Sequence, residues 1–316
     1  PLLANFSLQR EVSLLGTLKW RIVFAKPTGA GGLSMAAGLI LIGIGPGGIG
    51  GMTRAAINAA KNADFRRYEA YTALWNAEDL TVLENEIGQI HRVMRPEVEE
   101  PVELLALAKQ SVVALLIVGD PLQATTHVDL QLQAGEAGVD CSVIHGVSIT
   151  GLVTGAVGLS NYRFGRQTTL TYPYGGWIAT SPLEVIALNR IQGLHTLALL
   201  DLDPTGEGVG GQRPMQPVDA ATAIIGMAEK LSSILNDFEI DSPLAVLKRQ
   251  ACEDICDGVS EMMVVLCSDM GTSEERISYL SINDLPKEPI GRLHCLVIPA
   301  EPSDVEVLAL KRWTKK

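Results

Sequence analysis

Gly43, Gly45 and Gly48 stand in G-x-G-x-x-G register behind a short apolar run, in the segment AAGLILIGIGPGG (36–48). A turn of this kind lets backbone amides approach a ligand closely, and Glu69 falls about where a ribose-binding acid stands in a dinucleotide fold. A dinucleotide site also wants the next helix to begin on the glycines, so that its free N–H groups face the pyrophosphate. Gly50 and Gly51 postpone the helix to about Thr53, which argues against NAD. A second candidate is Asp120 in GDPLQATTHVDL (119–130), where Gly-Asp-Pro closes the run SVVALLIV and precedes a cluster of small polar groups. Asp-Pro is a common turn cap, but the carboxyl edge of a parallel sheet is also where ligands bind. His127 and Asp129 lie two positions apart and diverge on a helix, so they make a poor metal or acid–base pair; the plainer reading is a helix capped by Thr125 or Thr126. In HGVSITG, Gly146, Ser148 and Gly151 are spaced one residue too widely for a nucleophile elbow. Ser148 is left to offer its hydroxyl and backbone to a ligand, or to start a helix. His91, His145, His195 and His294 are dispersed and read as structural, and no Walker loop, H-E-x-x-H or EF-hand pattern occurs, so no metal is expected.

The elements that must position these groups follow from the apolar patterning. Residues 36–48 read as strand and loop, and MTRAAINAAKNAD (52–64) as the helix after them, with Thr53 as its cap. RPEVEEPVELLALAKQ reads as an acidic helical stretch, SVVALLIVG as a strand, HVDLQLQAGEAG as a helix and CSVIHG as a strand. Strands alternating with helices predict a mostly parallel sheet covered on both faces. The stretch SITGLVTGAVGLSNYRFG (148–165), rich in glycine and small residues, separates this block from a second. There TTLTYP, HTLALLDL, EMMVVLC and LHCLVIPA read as strands, PLEVIALNRIQG and PVDAATAIIGMAEKLSSILNDF as helices, and residues 203–217 as a Gly/Pro-dense loop. The expected organisation is an N-terminal extension at 1–34 foreign to the native chain, whose start is expected at Met35, then α/β domains at 35–147 and 148–316.

The chain has 316 residues, 47% of them hydrophobic and 19% charged, enough to bury the core of an ordinary globular protein. Its formal charge of −11 opposes binding to nucleic acid. Five cysteines, Cys141, Cys252, Cys256, Cys267 and Cys295, lack zinc-site spacing and suit a reducing cytoplasm as core residues. No uncharged run approaches membrane-spanning length, so no membrane partner is expected.

The segment LIGIGPGG together with GDP after a hydrophobic strand resembles the tetrapyrrole methylase family of S-adenosylmethionine-dependent methyltransferases. YEAYTA (68–73), GDPLQATTHVDL, IHGVSI (144–149), YRFG (162–165), GLHTLALLD (193–201) and LHCLVIPA (293–300) are similar, in the same order, to the diphthine synthases within it. The resemblance implies two α/β domains with the cofactor folded in the cleft between them, held at Pro46, Asp120, Gln123, Ser148, Ile149, Leu200, Asp269 and His294; no catalytic residue is assigned. It implies methylation of the 3-amino-3-carboxypropyl histidine of translation elongation factor 2 in diphthamide biosynthesis by a cytoplasmic homodimer. Archaeal members are expected to trimethylate the amino group, and eukaryotic members to methylate a carboxylate as well. The alternatives are a methyltransferase for a tetrapyrrole precursor and an NAD(P)-binding oxidoreductase. Three departures stand out: CSDMG (267–271) replaces an Ala-Arg-Ala-Gly-like stretch, the loop at 203–217 is long, and IPAEPSDVE replaces a Gly-Lys-Leu-His-like segment near the C-terminus.

Overall fold

The computed structural model describes residues 6–12, 18–24 and 36–314. The expected start at Met35 lies outside the described residues. Residues 1–35 and 36–316 form two compact units. In the first, β1 (Phe6–Val12) and β2 (Leu18–Phe24) pair antiparallel, with Phe6 opposite Phe24, a hairpin the sequence reading does not assign.

The second unit holds two five-stranded sheets. The first contains β3 (Gly38–Gly43), β4 (Phe65–Glu69), β5 (Ile90–Val93), β6 (Val112–Ile117) and β7 (Cys141–Ile144), in the order β5-β4-β6-β3-β7 and parallel throughout. Its helices are α1 (Arg54–Asn62), α2 (Ala77–Ile87), α3 (Arg95–Glu99), α4 (Val102–Ala108) and α5 (His127–Glu136). Leu39, Leu41, Ile42 and all of Val113, Ala114, Leu115, Leu116 and Ile117 are inaccessible to solvent, as expected of central parallel strands buried on both faces. The helix after the glycine loop begins at Arg54, with the Thr53 hydroxyl accepting the Ala56 N–H at 3.1 Å.

The second sheet contains β8 (Thr168–Leu170), β9 (Thr196–Leu200), β10 (Met263–Ser268), β11 (Arg276–Ser281) and β12 (His294–Ile298), in the order β11-β10-β12-β9-β8. Only the β8–β9 pair is parallel, so the mostly parallel pattern holds for the first sheet and fails for the second. Its helices are α6 (Ile149–Ala156), α7 (Ser181–Ile191), α8 (Pro217–Ile234), α9 (Pro243–Asp257) and α10 (Asp304–Leu310). In α8, Ala220, Ala221, Ile224, Met227, Ala228 and Leu231 recur at helical spacing and are buried against the sheet. Each large apolar side chain so covered contributes roughly 1.5–3 kcal/mol.

Other differences from the sequence reading have local causes. The acidic stretch at 95–110 is two helices, broken at Glu100 and Pro101, because proline disfavours helical geometry in the residue before it. The small-residue stretch after Ser148 contains the helix α6. Elements α2, β5, α9, β11 and α10 are mixed or polar in sequence and carry too weak an apolar period to be assigned from it.

Candidate functional site

The site is built where β3, β6 and β7 end side by side. Gly45 and Gly119 exchange backbone hydrogen bonds at 3.2 and 3.0 Å, each with a left-handed φ of 76° and 78°. A Cβ on Gly146 would lie 2.3 Å from the Gly119 carbonyl oxygen, and one on Gly43 would lie 2.5 Å from the Gly146 nitrogen. Three strand ends thus pack backbone against backbone, a closeness that excludes any side chain. Trp75 donates from Nε1 to the Gly45 carbonyl at 3.0 Å and fixes the glycine loop from the β4 side.

Asp120 is buried beneath this junction. Its Oδ1 accepts the Leu122 N–H at 2.9 Å, while Oδ2 meets His145 Nδ1 at 2.8 Å and accepts the Gly146 N–H at 3.3 Å. Oδ1 therefore shapes the turn after β6 itself, while Oδ2 joins it to the one after β7. Thr126 occupies the cap position of α5 without a side-chain bond, and Thr125 donates instead to the Pro121 carbonyl at 2.7 Å, so neither threonine caps the helix. Ser148 does cap α6: its Oγ accepts the Thr150 N–H at 3.2 Å, and Thr150 in turn donates to Gln123 Oε1 at 2.6 Å. Gln123 and Ser148 are thereby locked in one network.

His127 and Asp129 diverge as expected. The imidazole is buried, with Nδ1 2.9 Å from the Pro121 carbonyl and Nε2 2.5 Å from Glu69 Oε2. Burial pulls the His127 pKa down, but the Glu69 carboxylate and the Pro121 carbonyl outweigh it and the net direction is up. Glu69 also accepts the Thr72 hydroxyl. Buried and doubly bonded, Glu69 is not available to a ribose, which removes the dinucleotide reading of the glycine loop.

The second sheet supplies the facing wall. Asp269 follows β10 with φ 52°, and its Oδ1 accepts the backbone N–H groups of Arg292 and Leu293 at 2.9 and 3.0 Å. His294 opens β12, with Nδ1 2.8 Å from Ser268 Oγ and Nε2 3.3 Å from Gln216 Oε1. Burial lowers the His294 pKa, so its imidazole is neutral near pH 7. Cys267 and Cys295 are direct cross-strand neighbours. The hydrogen bond with Cys295 and burial push the Cys267 thiol well up, so it is no thiolate nucleophile.

Pro46, Asp120, Gln123, Ser148, Ile149, Leu200, Asp269 and His294 all line one cavity. They come from six chain segments and both sheets. Thr72, Ala124, Met270 and Arg292 also line it and are absent from the sequence reading. Among the described residues, the two non-glycine residues with left-handed φ are Ala124 and Asp269, both in this lining. Backbone held in that region costs about 1–3 kcal/mol per residue and clusters at ligand sites. Of the chemically interesting residues outside the cavity, His195 is structural: its Nδ1 accepts the Ala300 N–H at 3.0 Å and its Nε2 lies 3.1 Å from Glu306 Oε1.

The three departures have distinct positions. A Cβ on Gly271 would meet Pro46 Cγ at 2.7 Å, so CSDMG abuts the glycine loop of the opposite sheet. The loop at 203–217 spans the two sheets, with Gln212 donating to the Ala70 carbonyl at 2.6 Å and Gly208 accepting the Arg95 N–H at 3.2 Å. IPAEPSDVE lies by α10, whose Glu306 carboxylate, held down to about pKa 2 by backbone and side-chain donors despite its burial, anchors Arg163 and His195. The expected replacement at this point is corrected: a Gly-basic-Leu-His segment is present at 291–294 as Gly-Arg-Leu-His, and it borders the cavity. Among the described residues, no helix is long and apolar enough to cross a membrane.

The sequence model of the Tetrapyrrole (Corrin/Porphyrin) Methylases matches residues 38–285. A diphthine synthase of Methanocaldococcus jannaschii is 31% identical over 276 residues, covering 86% of this chain and 97% of that relative. Another, from Methanoregula boonei, is 40% identical over 144 residues, a match spanning 45% of this chain and 58% of that relative. A crystal structure of a diphthine synthase superposes with a TM-score of 0.70 at 26% identity, covering 87% of this chain and 95% of the other. With its glycine loop, its two sheets and the cavity between them, the chain belongs to the tetrapyrrole (corrin/porphyrin) methylase family, where it groups with the diphthine synthases.

Proposed function

We propose that the chain is an S-adenosylmethionine-dependent methyltransferase of the diphthine synthase type, acting on the 3-amino-3-carboxypropyl histidine of translation elongation factor 2. The observation that carries the reading is the convergence on one cavity of the eight residues expected to hold the cofactor. The lining fits such a molecule. Val118, Ile149, Leu199, Leu200, Leu202, Met270 and Leu293 offer apolar walls for an adenine and a thioether, beside the polar Gln123 and Ser148. When bound, S-adenosylmethionine supplies a methyl group already activated on a sulfonium.

What remains for the protein is orientation and shielding. Asp120 shapes the turn after β6, the Ser148–Thr150–Gln123 network fixes two polar contacts, and Asp269 and His294 set the opposite wall. Thr72 gives its proton to Glu69, which leaves its oxygen able to accept an N–H from an amine. An amine deprotonated by water needs no dedicated base, so holding it close and aligned accounts for most of the rate enhancement. The homodimer, the cytoplasmic location and the division into lobes at 35–147 and 148–316 belong to the same proposal.

The test is to incubate the protein with S-adenosylmethionine and elongation factor 2 carrying the modified histidine, then to weigh the modified peptide. Gain of methyl units is expected, and their number counts the transfers. Stabilisation by S-adenosylhomocysteine without mass gain would move the acceptor to a tetrapyrrole precursor or another molecule.

A further inference from the structure

Arg292 lies in the turn that enters β12, and its backbone is clamped from two sides. Asp269 accepts the N–H groups of Arg292 and Leu293. Gln216 bonds Gly291 twice, accepting its N–H at 3.1 Å and donating to its carbonyl at 3.1 Å. The root of the side chain is therefore fixed. Its head has no matching anchor: Nε is buried without a hydrogen-bond partner, and among the described residues no carboxylate lies within ion-pair distance of the guanidinium. A buried guanidinium donor left unpaired in the free protein is costly and points to a ligand that completes it.

Its placement says which kind of ligand. Arg292 lines both the central cavity and an adjoining cleft formed by Gly47, Gly48, Asn76, Asp79, Thr272 and other residues. Among the described residues lining either space it is the one Lys or Arg, while Glu78, Asp79 and Glu274 make the outer cleft acidic. A carboxylate entering this region thus has a single cation to meet, and the fork of an arginine matches a carboxylate with two parallel hydrogen bonds.

We propose that Arg292 is the acceptor-specificity residue, receiving the carboxylate of the amino-acid group that is to be methylated and so presenting its amine to the central cavity. This rests on the methyltransferase reading above. A methyl donor of the S-adenosylmethionine type also carries a carboxylate, so the test must separate the two sources.

Two modified forms of the protein acceptor serve, one with the 3-amino-3-carboxypropyl group on histidine and one with the 3-aminopropyl group, which lacks the carboxylate. Wild type is expected to favour the first in kcat/KM by on the order of 10- to 100-fold. Arg292→Met is expected to treat both alike, mainly through a raised KM, with unchanged S-adenosylhomocysteine affinity by calorimetry, which also reports correct folding. Arg292→Lys, which keeps the charge but not the fork, is expected to recover part of the preference. Equal preference in wild type and Arg292→Met overturns the assignment while leaving the methyltransferase reading intact. A loss of S-adenosylhomocysteine affinity in folded Arg292→Met overturns it in favour of the donor's carboxylate. No methyl transfer by wild type to either acceptor overturns both readings.

Discussion

At the scale of single residues, the same carboxylate chemistry serves two purposes. Asp120 was legible as a ligand-edge residue from Gly-Asp-Pro after an apolar run, but its bonds to His145 and Gly146 were not, since they join segments 25 and 26 positions apart. Those bonds shape what Asp120→Ala should do. We expect S-adenosylhomocysteine affinity to fall by on the order of tenfold as the turn relaxes, and unchanged affinity by calorimetry would count against it. The Glu69–His127 pair makes a sharper prediction. His127 has a raised pKa when folded, so the stability it contributes is complete below its unfolded value of about 6.5 and is lost as pH rises through the folded one. In Glu69→Gln the main raising partner is gone and burial is opposed only by the Pro121 carbonyl and Glu99, so this stabilising contribution shrinks. We expect Glu69→Gln to cost about 3 kcal/mol near pH 6 and less at higher pH. Urea titrations at several pH values would refute the coupling if the two proteins kept a constant difference.

Elements were legible where one physical signal dominated. Strands β3 and β6 are unbroken apolar runs because both faces are covered, and α8 shows a clean helical period because only one face is. Strand β11 is half-buried along its length, and α9 exposes Leu244, Val246 and Leu247, so neither pattern announces itself. The glycines show the same limit. Gly43, Gly45 and Gly48 were conspicuous as a motif, yet the tightest contact is at Gly146, in a different turn. We expect Gly146→Ala to cost about 2–3 kcal/mol, because its Cβ would strike the Gly119 and Gly43 backbones rather than movable side chains. The control is Gly151→Ala in α6, where nothing lies within 4 Å and stability should rise by about 0.5–1 kcal/mol. Similar values for both variants in chemical denaturation would refute the backbone-packing account. Gly45→Val should also lose cofactor affinity, but by strain at its left-handed φ rather than by blocking the ligand, since Gly45 does not line the cavity. Near-normal affinity by calorimetry would dismiss that strain.

At the scale of the whole molecule, the cavity exists only if the strand ends of two sheets with different strand patterns are held against each other. Neither the sheet pairing nor the closeness of Pro46 to Gly271 has a local signature in the sequence; resemblance alone placed the eight expected residues in one region. The long loop at 203–217 is one of the ties, and its own order depends on Asp203. That carboxylate accepts the Thr205 N–H at 2.9 Å and hydroxyl at 2.7 Å through Oδ1, and the Gly208 N–H at 2.7 Å through Oδ2. Burial opposes its charge, but these donors outweigh burial and lower its pKa, so the loop is at full order at neutral pH. Gly208 and Gln212 in turn reach Arg95 at the start of α3 and Ala70 just after β4. Asp203→Ala should therefore loosen the strap without disturbing either core. The expected outcome is faster proteolytic cleavage within 203–217 and several-fold weaker S-adenosylhomocysteine binding, with saturating ligand restoring protection by mass action. Cleavage that is faster while affinity stays normal would mean that the strap is ornamental to the cavity, and that the packing of Pro46 on the Gly271 turn suffices to keep the two sheets in register.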